Sequence, residues 1–153
     1  MAKKSAGILA YRRVNKELEV LLVHPGGPFF IKKDAASWSI PKGEFPEDED
    51  PLTAAKREIR EELGFIPQGE YVPLSPVKQK SGKIVYAWVV ETDFDVANMV
   101  SNTFTIEWPP RSGKMKEFPE VDKAAWYNVS QAREKINPAQ AAFIDELEKL
   151  LQP

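Results

Sequence analysis

Apolar residues fall into two early runs, "SAGILAYRR" at 5–13 and "LEVLLVHP" at 18–25, separated by the polar stretch "VNKE". Short aliphatic runs bounded by turn formers predict two strands and a tight turn. A Gly-Gly-Pro cluster breaks regular structure in "HPGGPFFIKKDAAS", and "WSIP" predicts a short strand ending at Pro41. The period then changes. Leu52, Ala55, Ile59 and Leu63 recur at about 100° per residue, the signature of one helix face. Asp50 suits the N-cap, Pro51 the first helical position and Gly64 a left-handed C-terminal position, so a helix is predicted over 51–63. Further on, "GEYVPLSPVKQ" and "KIVYAWVVETDF" predict a hairpin around "KSGK", and a long irregular stretch follows through "SNTFTIEWPPRSGKMKEFPEV". "KAAWYNV" predicts a last strand, followed by helices in "SQAREKI" and "PAQAAFIDELEKLLQ". The order β-β-β-α-β-β-loop-β-α predicts an α/β fold, a mixed sheet flanked by helices, in one domain spanning 1–153.

Composition narrows the function more than the fold. The 153 residues are 42% hydrophobic and 29% charged, ordinary for a globular chain. With 21 basic and 23 acidic residues the formal charge is -2, which supplies no overall attraction to nucleic acid or to an anionic membrane. No apolar run is long enough for a membrane span, and the start is too short in apolar residues for a secretion signal. The chain has no cysteine, which removes disulfides and thiolate metal sites and agrees with a reducing compartment. A cytoplasmic protein is expected. One histidine, His24, excludes a His-based metal centre and reads as a loop or packing residue.

The unusual feature is a crowd of like charges. Glu58, Glu61 and Glu62 share one arc of the helix, beside or opposite its apolar stripe. Like charges at this spacing destabilise an isolated helix. A divalent cation relieves that repulsion: Mg²⁺ takes oxygen ligands and bridges carboxylates to substrate phosphates. Gly43 lets the backbone pass close to such an ion, with its carbonyl as a further ligand, and Arg57 is placed to pair with a carboxylate.

The full pattern from 43 to 65 is Gly43, five residues, Glu49, seven residues, Arg57-Glu58-Ile59, one residue, Glu61-Glu62, one residue, Gly64-Phe65. It resembles the signature of the Nudix hydrolases at every defined position. The resemblance implies a Nudix-type α/β/α sandwich with a mixed sheet. It also implies Mg²⁺- or Mn²⁺-dependent hydrolysis of a nucleoside diphosphate linked to another group. On the matching positions Glu58, Glu61 and Glu62 are the expected metal ligands and Arg57 orients Glu58. Glu49 braces the loop before the helix. One of these glutamates, or an acid from elsewhere, is the expected general base.

Such enzymes often draw a further acid from outside the signature. Glu117 and Glu120 in "KEFPEVDKAAW" are the candidates, Glu117 as a metal ligand and Glu120 as a catalytic acid, with Glu107 next. Lys42, before the signature glycine, is placed to reach a phosphate, whereas Lys32 and Lys33 read as solvated. Arg111, Lys114 and Lys116 are cations for phosphate, and Trp108 offers a face for stacking on a base. Trp38, Trp88 and Trp126 lie in apolar strand patterns and read as core; Tyr11, Phe29 and Phe30 fit core or pocket equally. "WSIPKGE" is similar to the arrangement in Nudix members that act on dinucleoside polyphosphates, the leading substrate class. Sanitising hydrolysis of oxidised or ordinary nucleoside triphosphates and cleavage of nucleotide sugars are the alternatives. A nucleotide-sensing module without catalysis is the reading from a different class, and it usually goes with broken signature glutamates, which this chain keeps. The partner expected is a small nucleotide; the sequence leaves the oligomeric state open.

Overall fold

Six consecutive buried residues, 5–10, mark the middle of the fold. The computed structural model describes residues 3–152, so the outermost positions of the expected 1–153 span lie outside it. The buried run belongs to β1 (Lys4–Val14), which turns antiparallel into β2 (Glu17–Pro25). Asn15 and Lys16 both have positive φ (53° and 70°), the two-residue turn whose twist matches that of the flanking strands. Then come β3 (Lys42–Glu44), α1 (Pro51–Leu63), β4 (Val72–Pro73), β5 (Val77–Lys78) and β6 (Ile84–Glu91). A hairpin of β7 (Thr103–Glu107) and β8 (Met115–Pro119) precedes β9 (Val121–Asn128), α2 (Val129–Lys135) and α3 (Ala141–Leu150).

The main sheet runs β4-β6-β1-β2-β9, with β3 also on β1 and β5 on β6. Only the β1–β6 pair is parallel, so the sheet is mixed as expected. A strand covered on both faces reads as an unbroken apolar run, and β1 does. One face carries Ala6, Ile8 and Ala10 against Ala54, Ala55, Ile59 and Leu63 of α1. The other carries Leu9, Leu22 and Val89 against Ala132, Ile136, Phe143, Ile144 and Leu147 of the C-terminal helices. Helices on both faces make the α/β/α sandwich.

Four local expectations need correction. "WSIP" is not a regular strand: Trp38 and Ser39 make isolated bridges to Ile136 and Val23, and β3 begins only after Pro41. Pro41 has no N–H to give, but its carbonyl accepts from Ile8 N (3.1 Å) and leads the chain onto β1. "GEYVPLSPVKQ" is split into β4 and β5 because Pro73 and Pro76 interrupt the ladder. The stretch from 101 to 121 is not irregular. Phe104 and Ile106 alternate with exposed neighbours along β7, which pairs with β8 from Thr103↔Pro119 to Glu107↔Met115. The terminal helix begins as a 3-10 turn at Pro138–Gln140 before α3.

The start of α1 follows its sequence signals. Asp50 Oδ2 accepts from Thr53 N (3.0 Å) and Thr53 Oγ1 (3.1 Å). Gly64 closes the helix at φ 86°, its N–H donating to Arg60 O (2.8 Å). Asp50→Ala is expected to lower unfolding stability by about 1 kcal/mol, read as an earlier denaturant midpoint at constant slope. An unchanged midpoint would show the cap to be dispensable.

Candidate active site

The α1 glutamates are not all on the solvent side. Glu58 and Glu62 are each 7% exposed, whereas Glu61 is half-buried, so two carboxylates lie under the sheet edge rather than in water. What admits them is β3. Gly43 sits over Glu58 so closely that a Cβ there would fall 2.1 to 2.4 Å from the Glu58 carboxyl atoms. Only a residue without a side chain lets strand and carboxylate share that space.

Arg57 holds the outer edge of the cluster. Its Nε and Nη2 donate to the two carboxylate oxygens of Glu49 (2.9 and 2.8 Å), the paired geometry in which guanidinium binds best. Its Nη1 donates to Glu58 Oε1 (2.8 Å) and to Glu61 Oε2 (3.2 Å). This guanidinium therefore occupies acceptor oxygens of two of the three glutamates. Among the described residues no group of three acidic or histidine side chains is arranged to hold a metal ion. The donor chemistry still fits a hard divalent cation: all oxygen, strongly crowded and short of compensating charge.

That shortage shows in the protonation of the acids. Burial, then the nearby charges of Glu58 and Glu120, push the Glu62 carboxyl well above the usual range; Lys42 opposes this through its charge and its backbone N–H. Glu58 is raised by burial against the pull of Arg57, and Glu120 by burial and by Glu61. Lys42 is lowered, first by burial and then by Lys83. Lys83 in turn holds Glu44 at 2.8 Å, while the Lys42 ammonium makes no ion pair among the described residues.

The raised carboxyls have a consequence for stability. Above the ordinary carboxylate range the folded chain keeps protons that the unfolded chain has already released, so stability falls as pH rises through the folded values. Without divalent metal the protein is expected to melt higher near about pH 5 than near about pH 7.5, and saturating Mg²⁺ to narrow the gap by binding only the folded, ionised site. Glu49 and Glu44, lowered by Arg57 and Lys83, act only at more acidic pH. Melting curves over pH with and without Mg²⁺ check this; a gap that Mg²⁺ leaves unchanged would detach these acids from metal.

A cavity of about 470 Å³ opens over the cluster. Glu58, Glu61, Glu62, Glu120, Gly43 and Lys42 line it, together with Phe30, Phe104 and Trp38. Ser39, Asn137 and Gln140 add polar atoms; Gln140 is buried and fixed by Ile40 N, which donates to its Oε1 (3.0 Å).

Several residues singled out in the sequence are elsewhere. Trp108, Arg111 and Lys114 sit at the tip of the β7–β8 hairpin and are not part of the lining; Trp108 meets Phe29 edge to face at 5.3 Å. Glu117 is exposed on β8 opposite Thr105, also outside the lining. Glu107 accepts from Arg111 N (2.8 Å) and Gly113 N (3.2 Å) and so closes the hairpin tip. Lys32 and Lys33 are exposed. Sequence reasoning missed Phe104, Ser39, Asn137 and Gln140. The only available signal was the alternation in "TFTIE", which marks Phe104 as one-faced; Gln140 comes from 100 residues beyond its partner.

The sequence model of the NUDIX domain matches residues 1–147 of this chain. The chain belongs to the Nudix family. This protein is a hydrolase acting on phosphoric anhydride bonds, and Nudix enzymes generally need a divalent metal ion. No curated protein matches it. Among solved structures it is similar to the NUDIX domain of Shewanella oneidensis NrtR in complex with ADP ribose. That pair shares 15% identity at a TM-score of 0.70, covering 99% of this chain and 90% of the other. A C. elegans Ap4A hydrolase follows at 19% identity and a TM-score of 0.66, with 96% and 97% covered. A MutT structure from work on Aliivibrio salmonicida and Vibrio cholerae shares 13% identity at 0.58, with 95% and 94% covered. At these identities the likeness is one of fold. No described helix is long and apolar enough to cross a membrane.

Proposed function

We propose that this Nudix protein is a cytoplasmic, single-domain pyrophosphohydrolase, with Mg²⁺ as its metal and Mn²⁺ as a substitute. Its substrate would be a nucleoside diphosphate linked to a second group, with dinucleoside polyphosphates the leading class. The observation that carries this is the make-up of the cavity: five glutamates (Glu44, Glu58, Glu61, Glu62 and Glu120), a half-buried Lys42 with no ion pair among the described residues, and the aromatic side chains of Phe30, Trp38 and Phe104 line one space of about 470 Å³. Anionic phosphate belongs against the metal side and a planar base against Phe30 and Phe104.

Glu58, Glu61 and Glu62, with the Gly43 carbonyl, would hold the metal, which neutralises phosphate charge and makes bound water more acidic. Arg57 keeps Glu58 and Glu61 in place through Glu49, and the Lys42 ammonium takes a phosphate oxygen. Glu120 receives the proton of the attacking water; burial and the charge of Glu61 raise its affinity for protons above that of an ordinary carboxylate, as a base requires. The new bond joins water oxygen to phosphorus, the anhydride bond to the leaving phosphate breaks, and the products are a nucleotide and the phosphorylated second group. With Glu120 lining the cavity and Glu117 outside it, this reading gives the outer acid's role to Glu120 alone. Trp108, Arg111 and Lys114 serve the part of a long substrate that projects past Phe29.

The test is product release in Mg²⁺ from dinucleoside polyphosphates, nucleotide sugars, and ordinary and oxidised nucleoside triphosphates. Fastest turnover of the first class supports the proposal; a clear preference for either of the others moves the assignment to it. Nucleotide binding without turnover of any of them would support the sensing module.

A further inference from the structure

The single histidine takes no part in the chemistry above, yet it is one of the most buried polar residues of the chain. His24 is 1% exposed, between the cavity-lining residues Val23 and Pro25. Its Nδ1 lies 2.7 Å from Asp122 Oδ1 on β9. Its Nε2 lies 2.6 Å from the backbone oxygen of Lys33. Both partners are acceptors. A neutral imidazole has one N–H and would leave the lone pair of its other, buried nitrogen facing an oxygen lone pair; a ring with an N–H on each nitrogen satisfies both.

The segment this ring reaches is the 26–37 loop, which brings Phe30 to the cavity. At its start Gly26 N donates to Glu120 O (2.9 Å). At its end Asp34 accepts from Trp38 Nε1 (2.9 Å) and pairs with Lys135 of α2. Between these anchors, among the described residues, the bond from His24 is the loop's polar tie to the rest of the protein. It acts close to Phe30, because Lys33 N donates to Phe30 O (2.9 Å) in the same turn. The charged groups around the ring are Asp122 and its register neighbour Lys123 from β9, Lys33 and Asp34 from the loop, and Lys135 paired to Asp34. The Trp38 ring meets the imidazole edge to face at 5.4 Å. Lys33 turns its ammonium toward the Phe30 ring, at 5.3 Å, and so leaves the imidazole to the carboxylates.

We propose that His24 is a positioning residue for substrate binding. As a doubly protonated ring it links Asp122 to the Lys33 carbonyl and so fixes Phe30 in the cavity wall. The inference rests on the reading of that cavity as the substrate site, and its test separates the two. In the wild-type protein, ¹⁵N spectra under the conditions of the activity assay are expected to show both ring nitrogens donating, to Asp122 and to the Lys33 carbonyl. His24→Gln places an amide donor near the Nε2 position and His24→Asn near Nδ1. The glutamine variant is therefore expected to keep KM close to wild type. The asparagine variant is expected to raise KM about tenfold at unchanged kcat, the factor for one lost hydrogen bond, with faster amide exchange in 26–33. A singly protonated wild-type ring, or equal effects of both variants on KM, would overturn the proposal. If neither variant folds, the wild-type ring spectrum decides. Absence of turnover on every substrate would instead strike at the proposed reaction and leave the ring spectrum and the loop exchange to judge His24.

Discussion

Glu62→Gln should lower kcat by roughly 10³-fold and, without metal, leave the protein as stable as before or more so. The two effects run in opposite directions because they have different causes. Glu62 is almost wholly buried, and Glu58 and Glu120 add like charge to the cost of keeping it ionised. Glutamine has nearly the same shape and no charge, so the metal-free fold loses repulsion rather than packing. On the proposed function, a bound metal would lose a charged oxygen ligand, and the phosphate the field that offsets its own charge. The checks are kcat under saturating Mg²⁺, metal binding by calorimetry, and melting without metal. Activity within tenfold of wild type would remove Glu62 from the machinery. A lower melting temperature without metal would mean that the carboxylate is structural.

Most of the fold, and the grouping of glutamates at the centre of the candidate site, were legible because both rest on short-range pattern. The run 5–10 is apolar because β1 is covered on both faces, and the cap, proline and glycine of α1 each answer a local backbone need. The signature residues lie within 43–65, so their spacing along the helix already put them together. The hairpin of β7 and β8 was obscured by Pro109, Pro110 and Gly113 at its tip, which read as an irregular loop through the whole stretch although "TFTIE" alternates. Of the cavity's other walls, only Glu120 and Phe30, the latter as core or pocket equally, were singled out for the site. Phe30 comes from a loop, Phe104 from that hairpin and Gln140 from the turn before α3, joined only by tertiary packing. His24 shows the same limit: its partner Asp122 is 98 residues away, and no local pattern distinguishes a buried, doubly bonded ring from an exposed one.

Gly43→Ala should separate fold from function most cleanly. The added Cβ would meet Glu58 Oε2 at 2.1 Å and its carboxyl carbon at 2.2 Å, far inside contact distance. Those atoms are the far end of a flexible side chain, so Glu58 can rotate away and the strand need not move. Overpacking of this kind costs about 1–3 kcal/mol when the backbone must shift and less when a side chain yields, so the variant is expected to fold with a modest loss of stability. The displaced carboxylate would leave Arg57 Nη1, 2.8 Å away, as well as any metal. A misplacement of about an ångström at a reacting centre costs on the order of 10²-fold in rate. The expected result is therefore a folded protein with kcat down about 10²-fold or more and weakened Mg²⁺ binding. Gly7→Ala is the useful contrast, because there the new Cβ would meet the Pro41 backbone oxygen at 2.5 Å, and backbone cannot rotate aside. That variant should lose stability first. If Gly43→Ala instead unfolds the chain as Gly7→Ala does, the glycine serves the β3–α1 packing alone; if it folds with full activity, Glu58 is not needed where it now stands.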